Sequence, residues 1–494
     1  MTTNPRKRRR IRRRIRRALG ATTVAALTAT ALLVLPAGAS SSSGHYTATA
    51  DQSLADIQAF WAKTLPATYG RTYKPIPADR VYPYSEKNPP PACGAKGTTP
   101  YQEVAGNAFY CEQGDFIAYD EQGLIPSLRD KYGDVAVGLV LAHEMGHAIQ
   151  ARTNAPSGAF VYTELQADCF AGSWAQHVAN GTGTDLRMSS DDLDRALAGF
   201  IDLRDPSGVD GGQDGAHGNA FDRVSAFQDG LVGGANACKA YDGNPPEVTE
   251  AGFTSAQDQA INGDLPLDQS VPLIQKSLDQ YWSGTVKAYG TAPKLVASRN
   301  ATVSCPGRSD GGVLSDTVLY CADSNTIVYA SATLQKASDE IGDLGSGVYL
   351  ATAWASAVQA DLGTKIGSDA TRSVSECLTG AWAGDVQRGT GAARNLKFSF
   401  SPGDLDEVVA TFVATEATQS KVARGTVFDR ISMFREGFAN GVQSCLGSGS
   451  SGSSGRSGPS GSSGRSGSSG STGSSGSTGS SGRSGSSGST SRTI

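Results

Sequence analysis

The middle of the chain is written twice, and this repeat constrains its fold more than any other feature. Phe60, Trp61, Tyr69 and Gly70 match Tyr281, Trp282, Tyr289 and Gly290, and Tyr110, Cys111 and Tyr119 match Tyr320, Cys321 and Tyr329. The register continues through Cys169, Gly172, Trp174 and Ala175 against Cys377, Gly380, Trp382 and Ala383, then Asp192, Leu193 and Asp194 against Asp404, Leu405 and Asp406. It ends with Phe221, Asp222, Arg223, Phe227, Gly230 and Cys238 against Phe428, Asp429, Arg430, Phe434, Gly437 and Cys445. Separations stay within 207 to 221 residues, so a tandem duplication is expected, with units over 50–243 and 270–446 and a Gly, Pro and Asp rich linker between them. One fold must therefore accommodate both sequences.

Within a unit the pattern predicts a mainly helical α+β domain with a small sheet. A first amphipathic helix is expected over 54–65, then a proline-rich loop over 74–91 without regular structure. Aromatic residues and Ile117 near period two predict a strand or hairpin over 108–119. Helices follow over 125–152 in two pieces, 163–179, 191–203 and 219–231. Ser190 is expected to cap the third of these, and Ser401 with Pro402 to open its counterpart.

Both ends stand apart from this pattern. Residues 1–39 hold ten Lys or Arg between Arg6 and Arg17, an apolar run from Ala18 to Leu35, and small residues up to Ala39. That is the order of a secretory signal peptide, with cleavage expected after Ala39; an uncleaved membrane anchor is the alternative. The formal charge of −4 becomes −14 once those ten positives are removed, which argues against nucleic acid as a partner. The stretch 447–494 is Gly, Ser and Thr with four arginines, Pro459 and a terminal Ile494, and lacks the apolar content to fold, so a disordered Gly/Ser-rich tail is expected. The protein is thus read as secreted, with association to the cell envelope through the signal anchor or the tail as a further option.

Eight cysteines in an exported chain point to disulfides. The repeat places four in each unit, so pairing within units is expected, and of the pairings this leaves Cys93 with Cys111 and Cys169 with Cys238 are favoured, mirrored by Cys305 with Cys321 and Cys377 with Cys445.

The segment 140–150 reads VLAHEMGHAIQ and carries HExxH as His143, Glu144 and His147. On a helix, residues four apart share a face, so both imidazoles can close on one metal ion with Glu144 beside them. Val137, Val140, Leu141 and Ala148 form the stripe that buries this helix, and Gly146 is expected to leave room beside the metal. A catalytic zinc needs a third protein ligand and an open position. Glu164, seventeen residues on, can supply it, and Asp168 one turn further can hold a liganding imidazole in its tautomer. The metzincin pattern fails, because Gln150 and Thr153 stand where Gly and His are needed.

HEMGHAIQ, ELQADCFAG, FYCEQGDFIAYDE and HGNAFDRVSAFQDG together resemble the bacterial family known as putative neutral zinc metallopeptidase, over about residues 90–240. The resemblance implies a zincin-like, gluzincin-type site with His143, His147 and Glu164 on one Zn2+ and Glu144 as general base. It implies peptide or protein substrates without specifying one.

In the second unit the same positions are Thr352, Ala353, Ser356 and Arg372, while Leu350, Ala351, Ala357 and Gln359 keep the helix pattern. A degenerate, metal-free copy is expected. Asp168 faces Glu376 and Arg223 faces Arg430, so both are read as supporting residues, whereas His217 faces Arg424 and is grouped with the chemistry. His217 is either a donor to the oxyanion or a helix-start residue bonded to backbone. His45 and His177 are expected at the surface. Two other functions stay open at this stage: a cell-surface binding or scaffold protein with a non-catalytic zinc, and a zinc hydrolase of a non-peptide amide.

Overall fold

In the computed structural model two three-stranded sheets of one topology lie among fifteen helices of the described residues. The structure describes residues 42–447 apart from 95, 156–159, 184–185, 214, 250, 306–316, 391–397 and 417–425. The signal segment, its cleavage point and the Gly/Ser tail lie outside these residues, as do Arg424 and the side chain of His45.

The first helix, α1 (Ser42–Tyr69), is longer than expected and runs on through Pro66. Its inner face carries Leu54, Ile57 and Trp61 into the core, where Trp61 meets Phe170 edge to face at 5.2 Å. The proline-rich stretch is not wholly irregular. It contains β1 (Val81–Tyr84), which pairs in parallel with β3 (Phe116–Asp120). Pro83 is tolerated there because β1 is an edge strand, bonded only to β3 in the order β1-β3-β2. After α2 (Tyr101–Val104), β2 (Ala108–Cys111) forms with β3 the antiparallel hairpin that the aromatic alternation predicted.

Next come α3 (Leu124–Tyr132), α4 (Asp134–Thr153), α5 (Phe160–Ala179), α6 (Ser190–Asp202) and α7 (Ala220–Ala240). The cap of α6 is Ser189 rather than Ser190: its hydroxyl accepts from the Asp192 amide while the Asp192 carboxylate reaches back to the Ser189 amide. Two bonds at that spacing satisfy amides the helix leaves free, which Ser190, already helical, cannot do.

α5 and α7 pack at the closest approach glycine permits. A Cβ on Gly172 would sit 2.0 Å from the Phe227 carbonyl oxygen, and one on Gly230 1.8 Å from that of Cys169. The Cys169–Cys238 disulfide ties the same pair.

After α8 (Ala256–Ala260) the C-terminal half runs α9 (Leu267–Thr285), β4 (Lys294–Ser298), β5 (Val318–Cys321), β6 (Thr326–Ala330), α10 (Ser331–Glu340), α11 (Asp343–Asp361), α12 (Asp369–Arg388), α13 (Asp404–Glu416), α14 (Val427–Asn440) and α15 (Val442–Gly447). Its sheet order is β4-β6-β5, with one parallel and one antiparallel pairing as in the first sheet. Gly380 and Gly437 repeat the tight approach, here between α12 and α14. Trp174 donates to Asp56 at 2.8 Å, and Trp382 to Ser277 at 3.0 Å. Ser401 and Pro402 lie before α13 rather than in it; Gly403, at φ 106°, turns the chain, and the Ser401 amide bonds the Asp404 carboxylate. All four expected disulfides are present, and no cysteine is free.

Among the described residues no helix is long and apolar enough to cross a membrane.

Candidate metal centre

α4 is buried along most of its length, and it carries polar residues inward only at His143, Glu144 and Gln150 before its last turn. It lies against α5 through Gly146, where a Cβ would stand 2.8 Å from the Ala167 Cα. Gly146 therefore serves the contact between the helices rather than leaving room beside a metal. That close crossing brings Glu164 and Asp168, one turn apart on α5, to the two histidines of α4.

His143, His147 and Glu164 converge as expected. His143 Nε2 lies 3.2 Å from His147 Nε2 and 3.1 Å from Glu164 Oε2, and His147 Nε2 lies 3.4 Å from Glu164 Oε1. Zinc bonds of roughly 2.0–2.1 Å in a tetrahedron set ligand atoms about 3.3–3.4 Å apart, so these separations fit. The opposite ring nitrogens are already engaged. His143 Nδ1 donates to Asp168 Oδ1 at 2.7 Å, and His147 Nδ1 donates to Gln150 Oε1 at 2.9 Å. Gln150 spends its own N–H groups on Thr163 and Gln166, so its oxygen is the acceptor. In neutral rings both Nε2 atoms then present lone pairs to each other and to a carboxylate. Three acceptors without a donor repel one another; a cation between them reverses the sign.

The electrostatics agree. Burial acts to lower His143, but the carboxylates of Asp168 and Glu164 raise it to about 10, so the site favours positive charge. Burial acts to raise Glu164, yet His147 and His143 hold its carboxyl well below the usual range. Asp168 is fully buried and gripped by Arg223 from the other side, Nε to Oδ2 and Nη2 to Oδ1, both at 2.9 Å. Arg223 also donates to the Leu203 carbonyl at 2.8 Å, which fits the supporting role expected of it.

Glu144 is buried next to the three donors, and burial pushes its carboxyl up. Its Oε2 accepts the backbone N–H of Tyr110, at 2.9 Å, from the free edge of β2. His217 is half exposed, with Nδ1 3.6 Å from Asp205 Oδ1; the neighbouring Asp205 carboxylate raises its pKa. Asp205 also accepts the amides of His217 and Gly218, so the loop before α7 is held by one carboxylate. His217, Glu144 and the three donors all line a cavity of about 870 Å³, whose other wall is apolar through Leu124, Leu128, Leu139 and Leu203. His177 is only partly exposed; it packs beside Phe60 and bonds Thr182. Tyr110, Gln150 and Asp205 escaped the sequence reading. Of these Gln150 carried a signal as the last residue of HEMGHAIQ, and Tyr110 as a repeat match within FYCEQGDFIAYDE.

Among the described residues of the C-terminal half no histidines converge; the group there with metal-ligand spacing is the acidic set Asp264, Asp343 and Glu407. Ser356 meets Ser375 at 2.9 Å, and Thr379 donates to Thr352 at 3.4 Å where the first half holds its imidazoles. Glu376 keeps its arginine, Arg430, at 2.7 Å.

Residues 28–241 match the model of the family described as "putative neutral zinc metallopeptidase". An uncharacterized protein of Mycobacterium tuberculosis is 30% identical over 159 residues, covering 27% of this chain and 54% of its own. The uncharacterized protein YpfJ of Escherichia coli K12 is 35% identical over 126 residues, covering 21% of this chain and 39% of its own. The chain thus spans about half the length of these relatives or less. No solved structure matches it.

Proposed function

We propose that this protein is a secreted zinc-dependent peptidase of zincin type, with one Zn2+ held by His143, His147 and Glu164. The observation that carries this reading is the meeting of three acceptor groups, two Nε2 atoms and the Glu164 carboxylate, at 3.1 to 3.4 Å with both Nδ1 positions already engaged. Three donors, one short of the closed set of a structural zinc, favour an enzyme over a scaffold. Zinc bound there supplies Lewis acidity, lowering the pKa of water towards neutrality and polarising a carbonyl.

The chain's own residues do the rest. Glu144, raised by burial and anchored by the Tyr110 amide, takes the proton of the attacking water and returns it to the leaving nitrogen. Asp168 and Gln150 hold the two imidazoles with their Nε2 atoms turned inward. His217, oriented by Asp205 on the cavity wall, donates to the oxygen that gains charge. The cavity, with its apolar wall, is large enough for side chains of an extended peptide.

The wider organisation belongs to the same proposal: residues 1–39 direct export, residues 270–446 are a duplicated copy that has lost its metal ligands, and the tail spaces the protein from the envelope. Metal analysis of the exported protein with a peptide-library digest tests the function. One zinc per chain with cleavage abolished by a chelator is expected. A metal-free protein, or cleavage indifferent to the chelator, overturns the reading.

A further inference from the structure

The two halves meet across a pair of reciprocal contacts. The amide of Phe221, in the first turn of α7, donates to Asp406 Oδ1 of α13 at 3.0 Å. In return the amide of Phe428, in the first turn of α14, donates to Asp194 Oδ1 of α6 at 3.2 Å. Phe221 and Phe428 are matched positions, and so are Asp194 and Asp406. Each half thus closes a helix start of the other, supplementing the local caps Asn219 and Thr426.

The two contacts differ in what lies behind them. Two residues beyond Phe221 stands Arg223, which grips Asp168, and Asp168 holds His143. Two residues beyond Phe428 stands Arg430, which grips Glu376, and there the chain of bonds stops short of any imidazole. Asp406 has a second hold on the first half through its ion pair with Arg204, at 3.1 Å, just past α6. Buried polar contacts of this kind fix direction, since a misplaced turn leaves a carboxylate and an amide unpaired. The glycine contacts and the disulfide tie α7 to α5 only from Phe227 onward, so they leave its first turn to other restraints.

We propose that Asp406, supplied by the metal-free half, is a positioning residue of the metal centre in the other half. By closing the first turn of α7 it sets where the Arg223 guanidinium stands, and through Asp168 how His143 presents Nε2. The C-terminal half then acts as a built-in partner of the site. This rests on the reading of His143, His147 and Glu164 as zinc ligands.

The mirror contact supplies the control. In the full chain, zinc affinity is measured by competition with a chromophoric chelator, the visible spectrum is recorded with Co2+ in place of zinc, and the metal-free melt is followed. Asp406→Ala is expected to weaken zinc about tenfold, at the lower end of the cost of losing an outer-shell partner, and to alter the Co2+ spectrum. Asp194→Ala removes the equivalent bond and lowers the melt comparably, but leaves zinc affinity and the Co2+ spectrum unchanged. Asp406→Asn, which still accepts from Phe221, recovers most of the affinity. Should the alanine variant fail to fold, Asp406→Ser, too short to reach the amide, takes its place. Equal zinc affinity in the Asp406 and Asp194 variants overturns the proposal while leaving the metal centre standing. Failure of the unsubstituted chain to bind zinc overturns the metal reading itself, and this inference with it.

Discussion

The backbone N–H of Tyr110 donates to Oε2 of Glu144 at 2.9 Å, so the carboxylate beside the His143, His147 and Glu164 cluster is tied to the edge of a sheet. An edge amide that would otherwise need water is satisfied by a side chain, and that side chain is aimed. The carboxylate stays buried beside His143, His147 and Glu164 with one oxygen held by the sheet.

Glu144→Gln tests that arrangement. The amide keeps an oxygen for Tyr110 and nearly the same volume, so folding and zinc content are expected to be unchanged. Loss of the base is expected to cut turnover by about a hundredfold or more, read as kcat on a cleaved peptide. Turnover within a few-fold of the unsubstituted protein assigns proton transfer elsewhere.

Metal binding is expected to reach one zinc per chain and no more. In the C-terminal half Thr352 and Ser356 lie a turn apart on α11, and Glu376 with Arg430 already resembles the support behind His143. Thr352→His, Ala353→Glu, Ser356→His and Arg372→Glu together are expected to add a second bound zinc, measured by titration and metal analysis. A second zinc before any substitution contradicts the assignment.

The stability of the metal-free protein is expected to rise from pH 7.5 to about pH 5.5. Asp343, Asp404 and Glu407 crowd together with Asp258 and Asp264, and burial first, then mutual repulsion, raises Asp343 to about 6 and the other two well above their usual range. Burial alone raises Asp406 to about 6. An acid with a raised folded pKa holds its proton where the unfolded chain has lost it, so stability falls as pH climbs through that window and returns on acidification. His143, raised to about 10, works in the same direction. Carboxylates held low, such as Glu164 and Asp168, withdraw their contribution only below about pH 4.5, near the ordinary carboxylate pKa. A melting temperature higher at pH 7.5 than at 5.5 refutes this, and Glu407→Gln should flatten the slope.

Removing the Cys169–Cys238 bond is expected to cost about 4 kcal/mol, the chain-entropy value for closing a loop of this length. Denaturant unfolding of the double serine variant reads the loss. Non-reducing peptide mapping should return four bridges, none joining residues 93–238 to residues 305–445.

The sequence alone determined whatever depends on local periodicity. Residues four apart on one helix share a face whatever else the chain does, which is why His143 with His147, and Glu164 with Asp168, could be read as pairs from their spacing. The hairpin at 108–119 and the four cysteine pairs were legible for the same kind of reason, one from alternation and the other from matched positions. Contacts between distant elements were not. Nothing local says that the edge of β2 passes Glu144, that Pro83 sits in an edge strand, or that Gly146 is where α4 meets α5. Arg223 could be named as architectural, but its grip on Asp168 and the reach of Asp406 to Phe221 follow from how α5, α7 and α13 pack. An amide's partner depends on which neighbour lies within 3 Å of it, and only the folded chain decides that.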